Sequence, residues 1–230
     1  MKKYAIILFS GDSSRFGGNT LKQFFEVDGK PLIYYTIKSF QDSPLIDGIV
    51  LVTKQDYIEE TKQIVFKYGF TKVMIITSGG ASRQESSYNG LKFLANYASK
   101  EDFVLIHDGA RPLVRKKIIG DLILALRDHE GATVGLKSTD TMSIVDTKQM
   151  EMVGVLNRDE IYRIQTPQAF HFGTILEAHE MYKGKNVTDD TQLIQGVFPI
   201  KIVEGNEELI KITRQSDIKL FKLLLGKEDE

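Results

Sequence analysis

Two periodicities alternate along this chain. Short apolar runs of buried-strand character occur at residues 4–9, 46–53, 73–76, 103–106 and 132–136. Between and after them, apolar residues recur at helical spacing over 32–40, 57–68, 118–129, 172–182 and 217–225. Residues 24–28 read as a short extended piece ending in the turn Asp28-Gly29-Lys30-Pro31. A short helix is expected at 191–195, and residues 200–203 and 209–213 are strand-like. Strands alternating with helical patterns predict a Rossmann-like, mainly parallel α/β sheet with helices on both faces, in a single domain spanning 1–230. The pattern changes at 137–152, which is polar, alternates through Thr141-Met142-Ser143-Ile144-Val145 and turns near Asp146-Thr147-Lys148. That predicts an extended β-arm over 137–156, leaving the core as a candidate dimerisation element.

An open parallel sheet gives particular meaning to the carboxyl ends of its strands, where ligands bind. The first strand runs into Ser10-Gly11 and a polar loop carrying Gly17 and Gly18, followed by Lys22 and Gln23. Free backbone N–H groups there, with Arg15 and Lys22 beside them, would cradle a polyphosphate. An ordinary turn with two solvated cations explains the same residues, since neither G-x-G-x-x-G nor G-x-x-x-x-G-K-[ST] is present. The third strand leads into Ser78-Gly79-Gly80-Ala81-Ser82-Arg83-Gln84-Glu85-Ser86, with Ser82 and Glu85 spaced as a capping box. Gly79 and Gly80 would let a flat ligand lie against backbone while Arg83 and Ser86 face it. A well-capped helix start accounts for most of that stretch too. The fourth strand ends in His107-Asp108-Gly109-Ala110-Arg111-Pro112. Asp108 there can hold Mg²⁺ through one carboxylate, the other ligands being phosphate oxygens and water; alternatively Asp108 and Arg111 brace a turn. His107 is assigned to structural hydrogen bonds, because nothing nearby forms a nucleophile–base arrangement.

Composition narrows the partners. Lys and Arg number 30 against 31 Asp and Glu, so the net charge of −1 carries no basic excess for nucleic acid or membrane. There is no cysteine, which removes disulfides, thiolate metal sites and a cysteine nucleophile. No apolar run approaches the ~18 residues of a membrane span, and Met1-Lys2-Lys3 with its short apolar run lacks signal-peptide form. A cytoplasmic protein is expected.

In order along the chain, Ser10-Gly11 with Arg15 and Lys22-Gln23, Gly79-Gly80 with residues 83–91, and residues 107–112 are followed by Asp140-Thr141, Arg158, Thr166-Pro167-Gln168-Ala169-Phe170, Thr188-Asp189 and Ile210-Lys211-Ile212-Thr213. Over nearly the whole chain this series resembles the 2-C-methyl-D-erythritol 4-phosphate cytidylyltransferases of isoprenoid synthesis. It departs from their usual Ala-Ala-Gly-x-Gly-x-Arg opening, here residues 9–15 with Asp12 added, and has Ala81 and Leu209 where the family often has polar residues. The resemblance implies in-line attack by a sugar-alcohol phosphate on the α-phosphorus of CTP, with Mg²⁺ bound. A phosphate monoester is already a nucleophile, so positioning and charge stabilisation carry the reaction and no protein base is required. By similarity, the catalytic residues are Arg15, Lys22, Arg158 and Lys211. The nucleotide side comprises Ser10, Gly11, Gly79, Gly80, Arg83, Ser86, Asp108, Gly109 and Arg111, with Asp108 as the metal ligand. Asp140, Thr166 and Thr188 fall on the acceptor side, Asp140 reaching a partner subunit's substrate in a homodimer. Ribitol 5-phosphate as acceptor, or a non-catalytic nucleotide-binding homologue, are the alternatives.

Overall fold

The computed structural model describes residues 1–17, 21–185 and 187–226; Gly18 lies outside them. Its elements run β1 (Lys3–Leu8), β2 (Glu26–Val27), β3 (Lys30–Pro31), α1 (Leu32–Gln41), β4 (Gly48–Thr53), α2 (Ile58–Lys67), β5 (Val73–Ser78), α3 (Arg83–Leu94) and β6 (Phe103–Asp108). Then come α4 (Lys116–Ala125), β7 (Gly131–Lys137), β8 (Ser143–Asp146), β9 (Glu151–Val155), β10 (Tyr162–His171), α5 (Phe172–Met181), β11 (Ile200–Glu204) and α6 (Ser216–Leu225).

Seven strands form the main sheet in the order β11-β7-β10-β6-β1-β4-β5. All pairings are parallel except those of β10, which runs antiparallel to both β6 and β7. Strand alternation sorts the core into two layers. Ala5 and Ile7 of β1 face a cluster with Ile33, Ile37 and Phe40 of α1 and Ile118, Ile119 and Leu122 of α4. Tyr4 and Ile6 face the opposite layer, with Leu91 and Leu94 of α3 and Phe172 and Ile175 of α5. Gly90 lets α3 lie close to the sheet, since a Cβ there would meet Ile6 Cγ2 at 2.6 Å. A third cluster joins α6, through Phe221 and Leu224, to Phe16, Val27 and Leu32.

Five elements depart from the sequence reading. Residues 162–171 form a central strand although they contain Pro167. Proline cannot donate to a ladder, and the register accommodates it with a shift between Gln165 and Gln168. Residues 209–213 are not a strand. Leu209 and Ile212 are buried, which gives the segment its apolar character, but it bonds through Ile212 N–H to the Ala110 carbonyl (2.8 Å) rather than joining a strand ladder. The helix expected over 118–129 runs Lys116–Ala125 instead, and the one at 191–195 is a 3₁₀ turn at Asp190–Leu193. Finally, Ser82 caps α3 by accepting from Glu85 N–H (3.1 Å), but Glu85 reaches back to Ala81 N–H (2.8 Å) rather than to Ser82.

Strands β8 and β9 pair antiparallel as a separate hairpin. Met150, Met152, Val153 and Val155 on it are exposed.

Candidate functional site

The loops after β1, β5 and β6 open together at the carboxyl ends of their strands and enclose a cleft of about 620 Å³. Ser10, Gly11, Arg15, Lys22, Gly79, Gly80, Arg83, Ser86, Asp108, Gly109 and Lys211 line it. Lys54 lines it as well and pairs with Asp12 (2.6 Å) across its rim. Ser10 donates to Ser86 Oγ (2.9 Å), which also accepts Gly80 N–H (3.1 Å), tying the β1 loop to the Gly79-Gly80 turn. A side chain at Gly79 would strike Ser10 Cβ at 2.4 Å, so this junction demands glycine. Gly109 has a packing reason: its Cβ would meet the Phe9 ring at 2.2 Å.

Asp108 is the electrostatic centre. Its Oδ1 accepts from Arg83 Nε (3.2 Å) and its Oδ2 from Lys211 Nζ (2.6 Å). Burial alone would push its carboxyl up, but the Arg83, Lys211 and Arg111 cations outweigh that and hold it well below the usual carboxylate range. Lys22 is pushed down, first by burial and then by the neighbouring Lys211 and Arg15 cations. Arg15, Lys22, Arg83 and Lys211 thus crowd a cleft that contains the ionised Asp108 carboxylate and the Asp12–Lys54 pair. Such a cleft takes a polyanion.

A chain of buried hydrogen bonds fixes the Asp108 backbone. Thr166 Oγ1 accepts Asp108 N–H (3.0 Å) and lies 3.0 Å from His107 Nδ1, while His107 Nε2 lies 2.9 Å from the Arg111 carbonyl. A carbonyl only accepts, so Nε2 carries the proton and the Thr166 hydroxyl donates to Nδ1. Burial lowers His107 to about 4, keeping it neutral and in that tautomer. Arg111 turns away from the cleft: its Nη1 donates to the Leu209 carbonyl (2.7 Å) and holds the segment that carries Lys211.

The remaining residues named from the sequence lie apart. Asp140 follows β7, Arg158 begins a 3₁₀ turn beyond the arm, and Thr188 bonds to Gln192 (2.8 Å); all three are exposed and none lines the cleft. Sequence reasoning passed over Asp190 and His179. Both are buried, and Asp190 accepts from Arg83 Nη1 (2.7 Å) and His179 Nε2 (3.0 Å). The available signal was a second carboxylate following Thr188-Asp189, too short a cue without the fold.

No group of three or more His, Asp or Glu side chains suited to a metal occurs among the described residues. One largely buried, ionised carboxylate beside the half-exposed Lys211 fits a hard cation that completes its shell with phosphate oxygens and water, rather than an all-protein cage.

A mainly parallel α/β sheet whose strand ends gather a cation-lined cleft around one aspartate defines a nucleotidyltransferase-like domain. The profile of one family, 2-C-methyl-D-erythritol 4-phosphate cytidylyltransferase, matches residues 4–227. The chain is 38% identical over 229 residues to the enzyme of that name from Clostridium botulinum, covering 98% of each. It is 40% identical over 220 residues to the one from Clostridium beijerinckii, covering 94% of this chain and 95% of that protein. The crystal structure of 4-diphosphocytidyl-2C-methyl-D-erythritol synthase from Anaerococcus prevotii superposes with a TM-score of 0.83 at 32% identity, covering 98% of this chain and 96% of that one. The chain belongs to the 2-C-methyl-D-erythritol 4-phosphate cytidylyltransferase family, and so to the CTP-dependent nucleotidyltransferases.

Proposed function

We propose that this protein transfers CMP from CTP to 2-C-methyl-D-erythritol 4-phosphate and releases pyrophosphate, in isoprenoid precursor synthesis. The observation that carries the reading is the convergence of Arg15, Lys22 and Lys211 on the cleft around Asp108. The acceptor phosphate attacks the α-phosphorus while the bond to the β-phosphate oxygen breaks. Lys22 and Arg15 stabilise the charge that develops on the triphosphate. Lys211, its side chain 40% exposed, can turn from Oδ2 toward a phosphate. Gly79, Gly80 and Ser86 present backbone and hydroxyl to the nucleoside, with Ser10 and Gly11 beside them. Asp108 would hold Mg²⁺, which when bound neutralises phosphate charge. Arg111 and Thr166 act from beneath, by placing Lys211 and Asp108.

Asp140, Arg158 and Thr188, which do not line the cleft, belong to acceptor binding in a homodimer assembled through the arm. Support comes from Met150, Met152, Val153 and Val155, which expose apolar surface on a two-stranded hairpin. An isolated hairpin of that kind is marginally stable by itself. A cytoplasmic location fits a biosynthetic enzyme, and no described helix is long and apolar enough to cross a membrane.

Pyrophosphate release from CTP and Mg²⁺, with methylerythritol 4-phosphate and ribitol 5-phosphate in separate reactions, tests the proposal. Turnover only with the first is expected. Turnover only with the second would reassign the acceptor, and CTP binding without turnover of either would make the chain a nucleotide-binding homologue.

A further inference from the structure

The carboxylate of Asp190, with no exposed side-chain surface, lies behind the cleft. Its Oδ2 accepts from Arg83 Nη1 at 2.7 Å and Ser87 Oγ at 3.4 Å. Its Oδ1 accepts from His179 Nε2 at 3.0 Å. A carboxylate cannot donate when ionised, so the His179 proton sits on Nε2. Burial opposes ionisation of Asp190, but the Arg83 cation and the His179 hydrogen bond hold it below the usual carboxylate range. The His179 ring is itself set by Tyr88, stacked at 6.0 Å with an interplanar angle of 6°. Asp190 N–H is anchored on Gln168 Oε1 of β10 at 3.0 Å. The carboxylate therefore has its place fixed from α5, α3 and the sheet.

Arg83 is shared between two carboxylates, Nε on Asp108 and Nη1 on Asp190. Its Nη2 is buried with no partner. A guanidinium facing a single carboxylate prefers the two-pronged pairing that uses both of its oxygens. Here it forgoes that arrangement: Asp190 holds its Nη1, and Lys211 holds the second oxygen of Asp108. The consequence falls on Asp108. One of its oxygens is tied to a fixed, largely buried arginine, and the other to a half-exposed lysine on a flexible stem.

We propose that Asp190, seated by His179, is a positioning residue for the transfer reaction: it holds Arg83 to the Oδ1 side of Asp108, leaving Oδ2 as the exchangeable side that faces the cleft. Without Asp190, Arg83 turns onto both oxygens of Asp108 and withdraws it from the substrate. The inference rests on the cytidylyltransferase reading and adds two residues to it that touch neither substrate nor the reacting atoms.

The test uses the intact chain. Asp190→Asn, which keeps size and polarity but loses charge, should lower kcat on the order of 10- to 100-fold, the scale of a small misplacement in a reacting geometry. KM for the acceptor should stay within about twofold, because the lesion lies on the nucleotide side. In an Arg83→Gln background the same change should cost less than about twofold, since residues acting through one another are not additive. His179→Gln, retaining an N–H donor, should keep most of the activity that His179→Phe loses. Calorimetric CTP affinity in Mg²⁺ without acceptor should weaken about fivefold or more in Asp190→Asn, a readout that holds whichever acceptor is used. Wild-type protein that binds CTP but turns over no acceptor would overturn the proposed reaction and leave this affinity comparison to decide the role of Asp190. Asp190→Asn protein that melts like wild type with unchanged kcat and CTP affinity would overturn the inference, as would losses that multiply in the double variant. If Asp190→Asn does not fold, equal activity and CTP affinity of His179→Phe and wild type would overturn it.

Discussion

The strand-end cleft and the β8–β9 arm are built on opposite physical terms. In the cleft, polar side chains are fixed by burial: Asp108, Thr166, His107 and Asp190 each hold a neighbour that holds another. In the arm, backbone pairing is local and apolar side chains face outward. A buried polar network is costly unless every member is satisfied, so its geometry is set within one chain. An exposed apolar hairpin has no such constraint and takes its meaning from what covers it. The cleft should therefore respond to single substitutions in chemistry and fold, whereas the arm should respond in assembly.

The largest effect expected is catalytic. Lys22→Ala and Lys211→Ala should each lower kcat by about 10² to 10³, the usual scale for one charge-stabilising donor, with little change in melting temperature. Steady-state pyrophosphate release beside a thermal melt checks this, and near-native turnover by Lys22→Ala would remove the cleft from the mechanism. The next effect is on stability against pH. His107 titrates near 4 when folded and near 6.5 when unfolded, so the unfolded chain binds more protons between those values. Its contribution is complete above about pH 6.5 and lost as pH falls toward 4, on the order of 3 kcal/mol in all. Asp108 and Asp190, both held low, add further loss below about pH 4. Denaturant titrations between pH 4 and 7 should show the slope, and a His107→Asn variant should flatten its upper part.

Packing under the cleft gives a smaller effect. Gly109→Ala places a methyl group against the Phe9 ring and the Leu8 carbonyl and should cost about 1–3 kcal/mol by overpacking. An unchanged denaturation midpoint would show that Phe9 can yield. Least disturbed should be the arm. Met152→Glu lies on an exposed strand and should alter unfolding free energy by less than about 0.5 kcal/mol while abolishing dimerisation in sedimentation velocity. A wild-type protein that sediments as a monomer would separate the arm from assembly altogether.

Much of the fold was legible in the linear pattern. The apolar runs of β1, β4, β6 and β7 are continuous because both faces of the sheet are covered, and continuity is visible without neighbours. β10 was not legible, since Pro167 argues against a central strand and only the register shift beside it reconciles the two. Residues 209–213 misled for the converse reason: apolar residues such as Leu209 and Ile212 are buried by packing outside a ladder as readily as within one. Of the site, Ser10, Gly79, Gly80, Arg83, Asp108 and Lys211 stood out through position at strand ends or family motif, and the structure gathers them in one cleft. Asp190 and His179 carried too little local signal to be read, because the significance of Asp190 is a contact with Arg83 made across 107 positions of sequence and that of His179 is its hydrogen bond to Asp190.

By itself, then, the sequence determined the alternation of strands and helices, the carboxyl ends at which chemistry gathers, and the residue types available there. Periodicity, turn residues and charge are local properties, and local properties can be read along a chain. Tertiary structure alone decided which oxygen of Asp108 faces Arg83 and which faces Lys211, that Arg111 serves the Leu209 carbonyl, and that Thr166 orders His107 and the Asp108 backbone. Those choices depend on distance and burial among groups far apart in the chain, where electrostatic and hydrogen-bond energies change steeply over a few ångströms.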